Sequence, residues 1–326
     1  MPSWRKTAFL AVLAIAVTTL AASAAGTPGT QGGAAVRIAF NSDREGSLQV
    51  FVMGAGGADQ RRVTSGPNSS EPWSWSPDGT LIAFETSRTG SVDIYTVNPD
   101  TLEETQITSE PSQDSLPVFS PDGSRIAFVT DRAGPPNTYG IWIMDADGSD
   151  AYDTGVASGN PVTWSPDGSR LAYNPSGTSY IGLMNPNGTG QTQLTPGPGV
   201  RIPAWSPDGS KIAFESFRDG NRDIYVIDAD GDNETRLTTD PAEDGDPTWL
   251  GGGSQIAFVS ERDGNQEIYV MDAGGQTETR LTFSAGADRR PTGTVVYSAP
   301  PAGTPTAPPH HPAASGATST ALAGSP

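Results

Sequence analysis

The stretch WSPDGSKIAF, residues 205–214, recurs in recognisable form along the chain. Its apolar triplet, Ile-Ala-Phe or a close variant, begins at six positions: Ile38, Ile82, Ile126, Leu171, Ile212 and Ile256. The intervals between successive triplets are 44, 44, 45, 41 and 44 residues. A period near 44 in segments rich in β-branched and aromatic residues is typical of a β-propeller with one four-stranded blade per repeat. The sequence therefore predicts an all-β fold of six antiparallel blades over residues 36–298.

The second repeat shows how this pattern forms a blade. A short apolar strand ends at Trp75, and residues 76–79 turn the chain, because Pro presets φ and Gly closes the turn without steric cost. Residues 81–84 and 93–97 follow as nearly continuous apolar runs, which is typical of strands that are buried on both faces. Residues 106–108 are expected to form the short outer strand.

Two further side-chain types recur at fixed places in the repeats. An aromatic residue precedes the turn, and we interpret it as a core wedge: Trp75, Phe119, Trp164, Trp205 and Trp249. An arginine lies in the loop after the second strand of five repeats: Arg44, Arg88, Arg132, Arg218 and Arg262. We expect these arginines to tie their loops to carbonyl groups or to a neighbouring acid.

The chain begins within a blade, because the first repeat has no inner strand of its own. The missing strand is expected from residues 290–297, which follow the sixth outer strand. The N- and C-terminal segments would then share one blade and close the ring. This closure would remove two open sheet edges.

Residues 1–25 have the features of a secretory signal peptide. Arg5 and Lys6 precede an apolar run over residues 8–22. Residues 22–24, Ala-Ser-Ala, then offer the small-x-small cleavage pattern. The run is shorter than the roughly 20 apolar residues that a membrane-spanning helix needs. We therefore expect export to the periplasm or the extracellular space.

Two low-complexity segments flank the repeats. Residues 26–35 are interpreted as a short linker, and residues 299–326 as a disordered tail rich in Pro, Ala and Thr, since this composition cannot form a core. The tail is either a native extension or the product of a truncated or shifted reading frame, and the sequence leaves both alternatives open.

The composition excludes several classes of partner and chemistry. The chain has no cysteine, which excludes disulfides, thiol catalysis and a lipid anchor on cysteine. Its net charge is −18, and removal of Arg5 and Lys6 would make it −20. Such a surface repels nucleic acid and anionic membranes. We expect a monomer that neither inserts into a membrane nor binds nucleic acid.

The repeated motifs resemble those of one known family. Trp-Ser-Pro-Asp-Gly-x-x-Ile-Ala-Phe, Ser-x-Arg-x-Gly, Asp-Ile-Tyr-Val and Arg-Leu-Thr, in this order, resemble the TolB-type propeller repeat over residues 36–298. The Gly-His and Trp-Asp signatures of WD-type repeats are absent. The resemblance implies an exported six-bladed propeller that binds proteins, as TolB does in the periplasm. TolB also carries an α/β domain before its propeller, so the resemblance covers the propeller part only.

The histidines limit the chemistry that the repeats can perform. His310 and His311, both in the predicted tail, are the only two. The repeats therefore lack the imidazole of a Ser-His-Asp triad and the usual ligand of catalytic zinc. We assign no catalytic residue and no cofactor.

Carboxylates remain, and one group has the start of a calcium loop: Asp228, Asp230 and Asp232. The loop lacks Gly at its sixth position and an acid at its twelfth, which is Thr239. Other repeats have plain hairpin turns at the same place, so we favour a turn, with a structural Ca²⁺ ion as the alternative.

The candidate binding site is the channel mouth, where the inner strands begin and six loops converge. The charged residues expected there are Glu71, Asp114, Asp244, Asp246, Asp288 and Arg289, together with Arg201 and Arg290. An acidic rim would suit a basic peptide, a cation or a polyhydroxyl ligand. The alternative interpretation is a set of solvated loop charges.

Three hypotheses about function follow. The first is a non-catalytic exported propeller that binds a protein or peptide through its channel mouth and rim loops. The second is a carbohydrate-active or cell-wall-glycan-binding propeller that uses carboxylates, with or without a Ca²⁺ ion, for which Trp73 and Trp142 are the candidate aromatic platforms. The third is a structural envelope component, or a degraded repeat gene without activity.

Overall fold

The structure is a computed structural model that describes residues 36–135, 138–197 and 199–294. The predicted signal peptide and linker, the tail and both histidines lie outside these residues. All regular secondary structure within them is β-strand. None of the described segments forms a helix that is long and apolar enough to cross a membrane.

The strands follow one another in a regular order. The first blade contains β1 (Arg37–Ser42), β2 (Gln49–Gly54) and β3 (Arg61–Arg62). The second contains β4 (Ser70–Trp75), β5 (Ile82–Thr86), β6 (Asp93–Val97) and β7 (Glu104–Gln106). The third contains β8 (Asp114–Phe119), β9 (Arg125–Thr130), β10 (Gly140–Asp145) and β11 (Tyr152–Ala157). The fourth contains β12 (Thr163–Trp164), β13 (Leu171–Tyr173), β14 (Gly182–Met184) and β15 (Thr192–Gln193). The fifth contains β16 (Val200–Trp205), β17 (Lys211–Ser216), β18 (Asp223–Asp228) and β19 (Thr235–Arg236). The sixth contains β20 (Asp244–Leu250), β21 (Gln255–Ser260), β22 (Glu267–Asp272) and β23 (Thr279–Arg280), and is followed by β24 (Asp288–Gly293).

These strands form six four-stranded antiparallel sheets, which confirms the predicted six-bladed propeller. The last strand, β24, pairs with β1 and completes the first blade. In this pairing Ile38 lies opposite Gly293, and the N–H of Arg37 donates to Oγ1 of Thr294 at 3.0 Å. The predicted closure of the ring by its two end segments is confirmed.

Each of six apolar clusters fills the space between two neighbouring blades. The Ala of the repeated triplet faces the following blade, as Ala39 packs with Phe84. The Phe of the triplet faces the preceding blade, as Phe40 packs with Ala257. A small side chain thus lies opposite a large one at every joint, which lets the blades approach closely. Burial of a Phe side chain contributes about 1.5–3 kcal/mol.

The Ser-Pro-Asp-Gly turns also join the blades. In the fifth blade Asp208 accepts hydrogen bonds from the Ser206 hydroxyl (2.7 Å) and from the Ser210 N–H (3.0 Å). Gly209 has a φ of +74°, and a Cβ built on it would lie 3.6 Å from Cδ of Pro166 in the preceding turn. The turns therefore pack one against the next around the end of the channel that lies opposite the mouth.

The aromatic residue before the turn links the inner strands. The indole N–H of Trp75 donates to the Thr292 carbonyl at 2.9 Å, and that of Trp249 donates to the Ala204 carbonyl at 3.0 Å. Both tryptophans are buried. Their position between blades confirms the interpretation of these residues as wedges.

Candidate functional site

Four of the six inner strands have an irregular backbone at their third residue. Four non-glycine residues there have positive φ: Leu116 (58°), Ile202 (52°), Asp246 (51°) and Arg290 (51°). Each precedes a proline, and the strand pairing shifts register at the same place. Such a bulge turns a side chain away from the regular alternation of a strand. A left-handed backbone is a genuine outlier for a β-branched residue such as Ile202, and strain of this kind is concentrated at functional sites.

Three of the four bulged residues border the central channel. A cavity of about 150 Å³ lies on the axis and is lined by inner strands of all six blades. Ile202, Asp246 and Arg290 contribute to its wall, as does Trp73. The mouth therefore combines apolar, acidic, basic and aromatic groups within one concave surface.

On one side of the mouth, three side chains of the first and second blades interact. The guanidinium of Arg290 lies 4.4 Å from the ring centroid of Trp73, and its Nε lies 3.0 Å from Oε2 of Glu71. Glu71 is paired across the strands with Glu85. Oε2 of Glu85 accepts a hydrogen bond from the N–H of Leu116 at 2.8 Å. Burial, together with the charge of Glu71, raises the pKa of Glu85 to about 7.

A related arrangement lies between the fifth and sixth blades. Oε2 of Glu215 accepts from the N–H of Asp246 at 3.2 Å, and Nη1 of Arg222 lies 3.6 Å from the same oxygen. Burial, with the neighbouring charge of Asp246, raises the pKa of Glu215 to about 7. A Cβ built on Gly245 would lie 2.6 Å from this carboxylate, so the arrangement requires glycine at that position.

Three of the predicted rim acids are fully buried. Asp114, Asp244 and Asp288 have no exposed surface. They pair with the loop arginines of their own blades: Arg132 at 2.6 Å, Arg262 at 3.0 Å and Arg44 at 2.7 Å. The expected role of these arginines in tying the loops is confirmed there. In this structure these three carboxylates are enclosed and paired with arginines. They therefore hold the loops and present no charge at the mouth.

The other predicted residues retain surface at the mouth. Glu71 is partly exposed beside Arg290, and Asp246 lines the channel cavity. Arg289 is partly exposed and lies opposite Asn41 in the strand pair. Arg201 is exposed, with its guanidinium 5.2 Å from the ring centroid of Phe217.

The candidate calcium loop forms a hairpin turn. The N–H of Asp228 donates to the Asp232 carbonyl, and Asp230 accepts from the Asp232 N–H at 3.1 Å. The Asp228 carboxylate is bound by Lys211 and Asn233, and the bond from Lys211 lowers its pKa. Across the described ranges no cluster of three acidic or other metal-ligating residues has the arrangement of a metal site. These contacts are those of the turn interpretation.

The two tryptophans outside the repeated position have different surroundings. Trp73 lines the channel cavity. Trp142 lies in β10, partly buried against the core between the second and third blades, with the Arg132 guanidinium 5.1 Å from its ring centroid. Trp73 is therefore the one that a ligand in the channel would meet.

Sequence reasoning missed the bulged residues and the two glutamates, Glu85 and Glu215. A proline two residues before the repeated aromatic position was the available signal for the bulges, since proline within a strand marks an irregularity. The residue after the apolar triplet was the signal for the glutamates. It is Asn, Glu and Val in repeats one to three and the same again in repeats four to six: Asn41, Glu85, Val129, Asn174, Glu215 and Val259.

Comparison with known proteins places the fold. The family model described as the TolB beta propeller domain matches residues 67–198 and 137–296. TolB from Acinetobacter baumannii has a TM-score of 0.71 at 21% identity, covering 79% of this chain and 66% of that one. The putative TolB from Agrobacterium tumefaciens has a TM-score of 0.61 at 22% identity, covering 78% and 92% of the two chains.

An enzyme shares the architecture as well. An oligogalacturonate lyase in complex with manganese has a TM-score of 0.51 at 17% identity, over 75% of this chain and 73% of that one. No curated protein sequence matches the chain significantly. The structural similarities, all at low identity, show a shared fold. The two segments of the family match together span residues 67–296, which is more than half of the chain, and the chain therefore belongs to the TolB β-propeller domain family.

Proposed function

We propose that this protein is an exported propeller that binds a protein or peptide partner through its channel mouth. The observation that supports this function is the ring of bulged residues at the third position of the inner strands. Two of them are apolar, Leu116 and Ile202, and two are charged, Asp246 and Arg290. Ile202, Asp246 and Arg290 line the channel cavity together with Trp73, and tryptophan and arginine are among the side chains enriched in binding hot spots.

The mouth is also rigid. Each left-handed residue is followed by proline, and the carboxylates of Glu85 and Glu215 bind the backbone of two of the bulges. Strain of this kind is compensated by the surrounding fold before a partner arrives. A preorganised surface loses less conformational entropy on binding, so more of the contact energy appears as affinity.

Export and location belong to the same proposal. The basic residues, apolar run and small-residue site within residues 1–25 support secretion to the periplasm or beyond. The membership in the TolB β-propeller domain family agrees with an envelope partner.

The test is capture of partners from the envelope of the producing cells with residues 25–326 as bait. A mouth variant carries Glu71→Gln, Asp246→Asn and Arg290→Gln. A matched control carries Glu103→Gln and Asp230→Asn, two exposed turn positions at the other end of the blades. A protein captured by the parent and the control and lost from the mouth variant supports the proposal. Equal capture by all three chains contradicts it.

A glycan ligand is the second candidate, for which Trp73 and the partly exposed Glu71 at the mouth are the favouring observation. Aromatic rings and carboxylates are the groups that glycan-binding sites commonly use, and one fold neighbour is an oligogalacturonate lyase. Retention of a cell-wall glycan without a protein partner, lost on Trp73→Ala, would favour this candidate.

A further inference from the structure

A second cavity lies beside the bulge at Leu116, where the second, third and fourth blades meet. Its volume is about 300 Å³. The residues that define it include Glu85, Val92, Gln113, Ser115, Leu116 and Tyr139. It therefore combines a carboxylate, an aromatic ring and two further polar side chains.

Among the described residues, the carboxylate of Glu85 in this cavity has no counter-ion of its own. Glu85 accepts the Leu116 N–H, but within the described ranges it has no salt-bridge partner. Arg290 is the basic residue whose charge acts on Glu85, but its Nε forms a salt bridge with Glu71. An acid that is withdrawn from water without a cation is costly to ionise.

The joint between the fifth and sixth blades shows what is missing. There Glu215, the counterpart of Glu85, has Arg222 beside it at 3.6 Å. Arg222 immediately precedes the third strand of its blade, and Val92 occupies the same place in the second blade. The short apolar side chain of Val92 does not reach the carboxylate and lines the cavity instead.

Two of the acceptors near Arg222 have counterparts in the joint between the second and third blades. Glu243 accepts from the N–H of Arg222 at 3.2 Å, and Gln113, its counterpart, accepts from the N–H of Val92 at the same distance. Glu261 lies 3.9 Å from Arg222, and its counterpart is Asp131, which accepts from the N–H of Gln113 at 2.9 Å. The joint between the second and third blades thus keeps two of these acceptors, one of them as the neutral amide of Gln113, and has no guanidinium among the described residues. Ser115 stands there in place of Gly245, so a guanidinium would reach Glu85 from the open cavity.

We infer that this cavity binds the guanidinium group of an arginine side chain supplied by the partner. Glu85 would accept its hydrogen bonds, as a carboxylate does in a bidentate pair, and the partly buried Tyr139 ring offers a face for a cation. That the arginine belongs to a partner rests on the proposed function, whereas the cation site rests on the cavity alone.

The test uses N-butylguanidinium as the probe and N-butylurea as its neutral analogue. Both are titrated into residues 25–326, and binding is followed by the amide and ring NMR signals of Leu116 and Tyr139. Binding of the cation without binding of the urea is expected. Glu85→Gln should weaken the cation by at least about tenfold, because it removes the charge-assisted bond. Glu103→Gln is the control and should leave binding unchanged.

A second variant fills the site from within. Val92→Arg with Ser115→Gly recreates the fifth-blade arrangement, in which Gly245 stands at the place of Ser115 and makes room for Arg222. This double variant should bind no probe while its melting temperature is retained or raised. Equal binding of the probe by the parent, Glu85→Gln and the double variant would overturn the inference, as would no binding by the parent.

The pH dependence gives an independent check. The groups that act on Glu85 are the Leu116 N–H, the charges of Glu71 and Arg290 and the side chain of Trp73, while Gln113 and Tyr139 line the cavity with it. Since the pKa of Glu85 is about 7, probe affinity should rise by about tenfold between pH 6 and pH 8. A chain that captures its partner at the mouth but binds no guanidinium contradicts only this inference. A chain that binds the guanidinium but captures no partner contradicts only the proposed function.

Discussion

The carboxylate of Glu215 on β17 accepts a hydrogen bond from the backbone N–H of Asp246 on β20, in the next blade, at 3.2 Å. Asp246 is a left-handed residue within a strand, and its bulge removes that N–H from the regular ladder. Glu85 makes the same bond to Leu116 at 2.8 Å. Two carboxylates, three blades apart, thus supply hydrogen-bond acceptors to strained backbone at the channel mouth.

These carboxylates should make stability depend on pH. The pKa of Glu85 is about 7 in the folded chain and its ordinary value is 4.5, so the folded state binds more protons between these values. Its contribution to stability is complete below pH 4.5 and is lost as the pH rises through 7. The free energy of unfolding should therefore fall between pH 5 and 8, measured by urea denaturation. Glu85→Gln, which can still accept the Leu116 N–H, should reduce this fall by about 1–3 kcal/mol. Identical pH profiles for both chains would contradict the prediction.

The turn glycines should tolerate no side chain where they pack on the preceding blade. Gly209→Val should lower the free energy of unfolding by about 1–3 kcal/mol, because φ is +74°, a conformation that β-branched residues rarely adopt. The matched control is Gly252→Val, at an exposed glycine without a positive φ and with no atom within 4 Å of a built Cβ. Equal losses in the two variants, measured by chemical denaturation, would contradict the assignment of a strained turn position to Gly209.

Removal of the closing strand should open the ring. Deletion of residues 286–326 removes β24, with its pairing to β1 and the bond from Arg44 to Asp288. The melting temperature should fall sharply, because β1 and the neighbouring inner strands lose their partner. Deletion of residues 300–326 leaves every described contact of β24 in place and should change it little. Two truncations that melt alike, in a calorimetric or circular dichroism scan, would rule out closure by β24.

The buried acids that begin the inner strands should contribute to the free energy of unfolding through their loop arginines. Asp244→Ala leaves the guanidinium of Arg262 without its enclosed partner, and breaking a buried pair by removing one member costs about 3–5 kcal/mol. Arg218→Ala in the fifth blade is the comparison, since Val200 stands there in place of the acid and the remaining partner, Glu234, is partly exposed. The loss from Arg218→Ala should be smaller. A larger loss in the fifth blade, by urea denaturation, would contradict this role of Asp244.

The sequence predicted the ring, but it did not show which of its acidic residues are buried and which face the channel. Asp114 and Asp246 both lie near the start of an inner strand, and nothing in their local context separates them. Asp114 is enclosed because Arg132 folds back over it from a loop in the same blade. Asp246 faces the channel because its backbone is left-handed, which depends on a carboxylate from another blade.

The sequence predicted where the candidate site lies, but only some of the residues that form it. Glu71 and Arg290 were identified because charge stands out in a loop. Glu85 was missed, because a single acid after an apolar triplet looks like the polar end of a strand. Its role became visible only by comparison with Glu215, which lies 130 residues later and has Arg222 beside it, whereas Val92 stands at that place beside Glu85.

What the sequence by itself determined is the number of blades, the strands within each, the turns and the closure of the ring. The blades, strands and turns follow from local patterns that act over a few residues and recur along the chain, and the closure follows from the inner strand that the first repeat lacks. Only the tertiary structure decided which charged side chains are enclosed and which face the channel. Those outcomes depend on contacts between neighbouring blades, and the local sequence around each residue does not contain its partner.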